Sequence, residues 1–209
     1  PDPTAISAVL DDFAAKNKGL APIVIVADQL GPNGDDPACA DSAAYGNAET
    51  YITTDVVDWA RWNLNIIQDP ASWVIAGYSN GGGCGAKYLA TYPDRFKNLI
   101  DVSGEPFPGS EDPDQVTATI YGGDAAAFEA SKPVNIMKAA APGAYRGITA
   151  VFTAGSEDPT YIAAAQELTA ATLDVGMSVT YYEVPGAGHV GDALSGGLQD
   201  GFTVLYPVL

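Results

Sequence analysis

Ser79 lies in a short segment whose residue types suit nucleophilic chemistry. The stretch Gly77-Tyr78-Ser79-Asn80-Gly81 matches the pattern G-x-S-x-G. The apolar run at 73–76 predicts a buried strand, and the small residues that follow predict a helix that stops before Pro93. Strand, sharp turn and helix form the setting of a nucleophile elbow, which presents a serine hydroxyl at a helix N-terminus. The alternative is a glycine-rich turn with an incidental serine.

A serine hydroxyl needs a base within hydrogen-bond reach before it can act as a nucleophile. The chain has one histidine, His189, which follows Pro185-Gly186-Ala187-Gly188. The base in turn needs a carboxylate to orient it, and Glu157 and Asp158 are the candidates. We favour Asp158, which directly precedes Pro159 and a predicted helix. Its alternative role is a helix N-cap, which we expect to be compatible with catalysis in position but not in side-chain geometry.

Alternating strands and helices must position these side chains. Apolar and β-branched runs predict five strands, at 22–27, 73–76, 99–103, 148–153 and 178–184. Helical spacing predicts helices at 3–18, 49–67, 80–91, 124–130, 133–140, 159–175 and 190–206. Residues 28–48 are expected to form a long loop, and 105–124 an irregular acidic stretch. This alternation predicts one domain over 1–209, a three-layer α/β fold with a mostly parallel sheet.

The candidate side chains all follow strands of this predicted sheet. Ser79 comes after the strand at 73–76, Asp158 after 148–153, and His189 after 178–184. Since parallel strands end at the same edge of a sheet, we expect the three to meet there. The chain order Ser, Asp, His predicts a catalytic triad with Ser79 as nucleophile, His189 as base and Asp158 as the orienting acid.

An oxyanion hole takes backbone N–H groups, and the residue after the nucleophile, Asn80, supplies the first. The second comes from a loop after an earlier strand, and two explanations stay open for its source. Either sequence upstream of Pro1 supplies it, so that the domain is N-terminally incomplete with its first strands missing, or the strand at 22–27 takes that place. We favour the first, in which case these residues do not identify the second donor; Gln29 and Leu30, which follow the strand at 22–27, are the fallback.

Composition excludes several classes of function. The net charge is −17, from 26 acidic and 9 basic residues, which argues against binding of nucleic acid or an anionic membrane. No apolar run reaches the roughly 18 residues of a membrane span. The two cysteines, Cys39 and Cys84, lack metal-ligand spacing, so we expect no zinc site. Neither a dinucleotide fingerprint nor a P-loop is present.

The chain resembles the esterase D and antigen 85-like branch of the α/β-hydrolases. This branch includes secreted bacterial esterases, feruloyl and siderophore esterases, and mycolyltransferases. The resemblance covers residues 3–205 and excludes the family's first strands; Val190 departs from it, where many members carry a polar or aromatic pair. The matching segments are 77–82, Tyr92-Pro93-Asp94-Arg95-Phe96, Asp101-Val102-Ser103-Gly104, 39–42, 46–51 and 185–189.

This resemblance implies a serine carboxylic-ester hydrolase without a cofactor, acting on a small-molecule or glycan-linked ester. The alternatives are an acyltransferase on the same scaffold and a non-catalytic cell-surface domain. Membrane contact is expected only through sequence outside these residues. Candidate substrate contacts are Gln29, Tyr78, Glu105 and Phe107, with Tyr45, Tyr51, Tyr121 and Tyr161 as further pocket or packing aromatics.

The resemblance also implies that Cys39 and Cys84 form a disulfide, the alternative being two buried free thiols. A disulfide would pin the loop 28–48 beside the active site. Such a disulfide would also imply an oxidising compartment, and therefore an extracellular or cell-surface location in a bacterium.

Overall fold

A parallel four-stranded sheet organises the computed structural model, which describes residues 3–30 and 35–209, with side chains from Ile6 onward. Its strands are β3 (Val74–Tyr78), β4 (Asn98–Val102), β5 (Thr149–Gly155) and β6 (Ser178–Val184). They lie in the order β3-β4-β5-β6, and every neighbouring pair is parallel. A separate antiparallel pair consists of β1 (Asp41–Ser42) and β2 (Gly46–Asn47).

Helices cover both faces of the sheet and alternate with its strands. The longer ones are α1 (Pro3–Lys16), α4 (Asn80–Thr91), α8 (Pro159–Asp174) and α9 (Asp192–Leu205). The shorter ones are α2 (Ala48–Thr50), α3 (Val56–Asn63), α5 (Pro113–Thr119), α6 (Ala125–Ala130) and α7 (Pro133–Ala139). A π-helical segment, Tyr51–Asp55, joins α2 to α3, and 3₁₀ turns span Pro70–Ser72 and Tyr206–Val208.

Two apolar layers enclose the sheet, which is the three-layer α/β arrangement that the sequence predicts. Helices α4 and α8 pack on one face, with α7 in contact with both, and α9 packs on the other face with α1 behind it. Alternate residues of the central strands feed the two layers. Leu99 and Phe152 enter the α4 side, whereas Ile100 and Val151 enter the α9 side. All four side chains are fully buried, so β4 and β5 form a rigid centre.

The prediction of a strand at 22–27 is wrong. This segment pairs with no strand of the described chain, and Ile23, Val24, Ile25 and Val26 are 38–62% exposed. A β-branched run favours an extended backbone, but a strand exists only where a neighbour accepts and donates its hydrogen bonds. The expectation that 22–27 takes the place beside the elbow strand is therefore wrong as well.

Two other stretches differ from the sequence prediction. The loop expected at 28–48 contains the short β1–β2 pair, and residues 31–34 of it lie outside the described residues. The stretch 105–124, expected to be irregular, contains α5, which Asp112 caps by accepting a hydrogen bond from Gln115 N–H. Among the described residues, no helix is both long and apolar enough to cross a membrane.

Candidate active site

Ser79 occupies a strained turn between β3 and α4. Its backbone has φ 56° and ψ −120°, a region that residues with a side chain rarely adopt. Its N–H donates to Val102 O at 3.0 Å, which extends the β3–β4 ladder up to the turn. A Cβ at Gly77 would lie 1.8 Å from Gly81 O, so only glycine allows strand and helix to approach this closely. The turn lifts the Ser79 side chain to the carboxyl end of the sheet.

Ser79, His189 and Asp158 meet at that edge, as the chain order predicts. The Oγ atom of Ser79 lies 2.9 Å from Nε2 of His189. On the other side of the ring, Nδ1 of His189 lies 3.1 Å from Oδ2 of Asp158. Both atoms are buried, and within the part of the chain that the structure describes neither has another hydrogen-bond partner. The side chains of His189 and Asp158 are 29% and 12% exposed, so bulk water screens their interaction only weakly.

Asp158 is at the same time the N-cap of α8. Its Oδ1 accepts a hydrogen bond from the N–H of Tyr161 at 3.4 Å, while Oδ2 faces His189. The expectation that capping and orienting a histidine are geometrically incompatible is therefore wrong, because a carboxylate has two oxygens that point in different directions. Glu157 is exposed, and its backbone N–H donates to Ala187 O at 2.9 Å.

Direct backbone contacts hold the Asp158 loop and the His189 loop together. Ser156 N–H donates to Val184 O at 3.0 Å, and the Ser156 hydroxyl accepts from Gly186 N–H at 2.8 Å. A Cβ at Gly155 would lie 2.1 Å from Gly188 O. The two loops thus form one packed unit, which fixes the distance between acid and base.

Two tyrosine rings stack on the imidazole of His189. The Tyr161 ring lies 3.9 Å from it between centroids at 22°, and the Tyr78 ring lies 5.3 Å away at 26°. The Tyr78 hydroxyl also donates to the backbone oxygen of His189 at 2.5 Å. Burial raises the pKa of both tyrosines, so both hydroxyls are protonated at neutral pH.

The N-terminus of α4 is tied to the segment that precedes the disulfide. Asn80 begins α4, so its N–H is one of the terminal donors without a partner in the helix. Its side chain accepts from Gln29 Nε2 at 2.8 Å and donates to Asp36 Oδ2 at 2.9 Å. Leu30 N–H donates to Asp28 Oδ1 at 3.0 Å.

Cys39 and Cys84 form a disulfide, as the resemblance implies, with Cα atoms 5.4 Å apart. It links the loop after residue 35 to the second turn of α4. The ammonium group of Lys87 reinforces the link by donating to Cys39 O at 2.5 Å and to Glu49 Oε2 at 2.9 Å. This ion pair is largely buried, so removing one partner would leave an uncompensated charge in the interior.

The remaining candidate substrate contacts lie in different surroundings. Glu105 is buried, its backbone N–H donates to Ser79 O at 3.3 Å, and burial raises the pKa of its carboxyl group. Phe107 packs against Phe128 and the ammonium group of Lys132 in a small separate cluster. Tyr45, with Asp35, Asp36, Glu111 and Asp112, lines a cavity of about 250 Å³.

Sequence reasoning assigned no role to Asp101, which lies under the elbow. It is fully buried, and a Cβ at Gly82 or Gly104 would lie 2.5 or 2.1 Å from its Oδ1. Its Oδ2 has no hydrogen-bond partner, and burial raises its pKa to about 7. The sequence feature that could have identified Asp101 is its place inside a predicted buried strand, shortly before Ser103-Gly104.

The geometry suits transfer of a proton from a serine hydroxyl to an imidazole whose second nitrogen faces a carboxylate. That arrangement can produce a serine nucleophile and then protonate a leaving group. Among the described residues, no group of three or more His, Cys, Asp or Glu side chains could hold a metal ion.

Comparison with known proteins agrees with this architecture. The family model for the alpha/beta hydrolase fold matches residues 23–135. An uncharacterized protein of Corynebacterium glutamicum is 35% identical over 182 residues, which are 86% of this chain and 42% of that protein. The chain thus spans less than half the length of this curated relative.

Solved structures share the fold at low sequence identity. A ferulic acid esterase has a TM-score of 0.72 at 16% identity, with 98% of this chain and 77% of that chain covered. A fluorophosphonate-binding serine hydrolase of Staphylococcus aureus has a TM-score of 0.75 at 17% identity, with 98% and 79% covered. The enterobactin esterase of Shigella flexneri has a TM-score of 0.65 at 21% identity, with 94% and 48% covered. The family match and the sheet with its elbow place this chain in the α/β-hydrolase fold family.

Proposed function

We propose that this protein is a serine carboxylic-ester hydrolase that acts through an acyl-enzyme intermediate. The observation that carries the proposal is the 2.9 Å contact between Ser79 Oγ and His189 Nε2, with Asp158 behind the imidazole. Support also comes from the fold family and from esterases among the structural neighbours.

Acylation begins when Ser79 Oγ attacks the ester carbonyl carbon and its proton passes to His189 Nε2. The negative charge that develops on the carbonyl oxygen is stabilised by the Asn80 N–H at the positive end of α4. Gln29 lies beside this helix N-terminus through its side-chain hydrogen bond to Asn80, so its N–H is our candidate for the second donor, whereas the Leu30 N–H is taken by Asp28. The carbon–oxygen bond to the alcohol then breaks, and His189 gives its proton to the departing alcohol.

Deacylation repeats these steps with water. His189 takes a proton from a water molecule, whose oxygen attacks the acyl carbon. Ser79 Oγ leaves and recovers the proton from His189, and a carboxylic acid is released. Asp158 stabilises the imidazolium in both halves of the reaction.

The protein is further proposed to act outside the cytoplasm on small-molecule or glycan-linked esters. The Cys39–Cys84 disulfide supports an oxidising compartment, and the net charge of −17 supports solubility there. His189 is partly exposed, so an ester can reach the site from solvent.

Hydrolysis of short-chain nitrophenyl esters, with fluorophosphonate labelling, tests the proposal. Ser79→Ala should lower kcat by about 10³-fold or more and abolish labelling. Ser178→Ala, at an exposed serine of β6, is the matched control and should leave both unchanged. Activity that survives Ser79→Ala would sink the assignment. Ester consumption that yields more transfer product than acid in the presence of sugar acceptors would instead indicate an acyltransferase.

A further inference from the structure

One residue in the first turn of α8 contacts both members of the acid–base pair. The Tyr161 ring stacks on the His189 imidazole at 3.9 Å between centroids. The backbone N–H of Tyr161 donates to Oδ1 of Asp158 at 3.4 Å. The orientation of the base and that of the acid therefore depend on the same residue.

Helix geometry explains why one residue reaches both groups. Asp158 is the N-cap of α8, and Tyr161 is the third residue inside the helix, whose N–H a capping carboxylate accepts. Side chains three positions apart lie on one face of a helix. The Tyr161 ring therefore projects on the side of the helix where Asp158 meets His189.

Tyr78 holds the histidine in a different way. Its hydroxyl donates to the backbone oxygen of His189, and its ring lies farther from the imidazole, at 5.3 Å. Tyr78 therefore anchors the loop, whereas Tyr161 contacts the imidazole plane at close range.

We propose that Tyr161 is a positioning residue whose ring holds the His189 imidazole at the angle that serves Ser79, while its N–H fixes Asp158. This inference rests on the proposed function. The ring also favours the imidazolium that forms when His189 takes the Ser79 proton, because an aromatic face attracts a cation. Burial raises the pKa of Tyr161 against a side-chain hydrogen bond with Ser79 that lowers it, so the hydroxyl is protonated and adds no charge there.

Loss of the ring should slow chemistry and leave substrate binding intact. A small misplacement of a catalytic group costs up to about 100-fold in rate, so Tyr161→Leu is expected to lower kcat by about 10- to 100-fold. KM should change by less than about threefold, and the rate constant of fluorophosphonate labelling should fall with kcat. Tyr161→Phe keeps the stacked ring and should restore kcat to within about threefold of the wild type.

Controls separate positioning from folding. Tyr182→Leu replaces an exposed tyrosine of β6 and should leave kcat and labelling unchanged. Thermal unfolding verifies that each variant is folded, and Tyr161→Met replaces Tyr161→Leu if the latter does not fold. Wild-type kcat in folded Tyr161→Leu or Tyr161→Met would overturn the proposal. So would a change in KM alone, or a loss in Tyr161→Phe as large as in Tyr161→Leu, which would assign the role to the hydroxyl.

The outcome is distinguishable from failure of the proposed function. If the wild type labels at Ser79 and hydrolyses esters while Tyr161→Leu matches it, the function stands and the positioning role is wrong. If the wild type neither labels nor hydrolyses, the proposed function itself is wrong.

Discussion

Two regions form the candidate site, and different contacts hold each of them in place. The strand-built side lies at the ends of β3, β5 and β6, and the loop-built side consists of residues 20–30 and 35–40. Strands β3, β5 and β6 deliver Ser79, Asp158 and His189 from a parallel sheet whose central strands, β4 and β5, are buried. Residues 20–30 and 35–40 approach from the other side without sheet pairing among the described residues. They are held by the Gln29 and Asp36 contacts to Asn80 and by the Cys39–Cys84 disulfide.

The difference shows that an apolar β-branched run does not determine its own burial. Residues 22–27 contain more Ile and Val than β5, yet Ile25 is 40% exposed and Phe152 of β5 is fully buried. Neighbours on both sides pair with β5, whereas 22–27 pairs with no described strand. Stability should therefore be concentrated on the strand-built side, and three measurements can break or sharpen that contrast.

The largest effect is expected in β5. Phe152→Ala removes a fully buried ring from the α4 side of the core and should lower the free energy of unfolding by about 3–5 kcal/mol. Urea denaturation measures it. Ile25→Ala, on the loop-built side, is the comparison and should cost less than about 1 kcal/mol. Equal losses in the two variants would contradict the contrast.

The disulfide should have the next largest effect. Replacing both cysteines, Cys39→Ser with Cys84→Ser, releases a link between residues 45 positions apart and should cost about 2–4 kcal/mol. Esterase activity should fall as well, because the loop carrying Asp36 is no longer held at Asn80. Reduction of the wild type should reproduce both changes. An unchanged urea midpoint would show that Lys87 and Glu49 hold the loop without the disulfide.

The smallest effect, and a pH-dependent one, is expected at Asp101. Its pKa is about 7 in the folded protein, above that of an aspartate in the unfolded chain, because burial disfavours the charged form. Stability is then highest below about pH 4, falls as pH rises towards 7, and is constant above. Asp101→Asn should remove this fall and stabilise the protein by about 1–2 kcal/mol at pH 8, with little change at pH 4.

Denaturation midpoints across pH 4–8 test this expectation. Asp174→Asn, at an exposed position of α8, is the control and should shift stability by less than about 0.5 kcal/mol at each pH. A parallel pH dependence in wild type and Asp101→Asn would assign the effect to another group.

Much of the fold was predictable because its signals are local. Helical spacing and β-branched runs identified α1, α4, α8 and β6 nearly to the residue. The gathering of Ser79, Asp158 and His189 at one edge followed from chain order, since parallel strands end together. The dual role of Asp158 was not predictable, because it depends on where each carboxylate oxygen points once α8 and the His189 loop are packed.

The sequence by itself determined the types and order of the candidate catalytic side chains, the elbow at Gly77-Tyr78-Ser79-Asn80-Gly81 and the alternation that builds a parallel sheet. Tertiary structure alone decided that 22–27 pairs with no described strand, that Asp101 lies buried under the elbow, and that Tyr161 stacks on His189. The physical reason is the separation along the chain between the residues that interact. Elements form from neighbours in the chain, whereas pairing, desolvation and ring contacts depend on residues far apart in sequence that packing alone brings together.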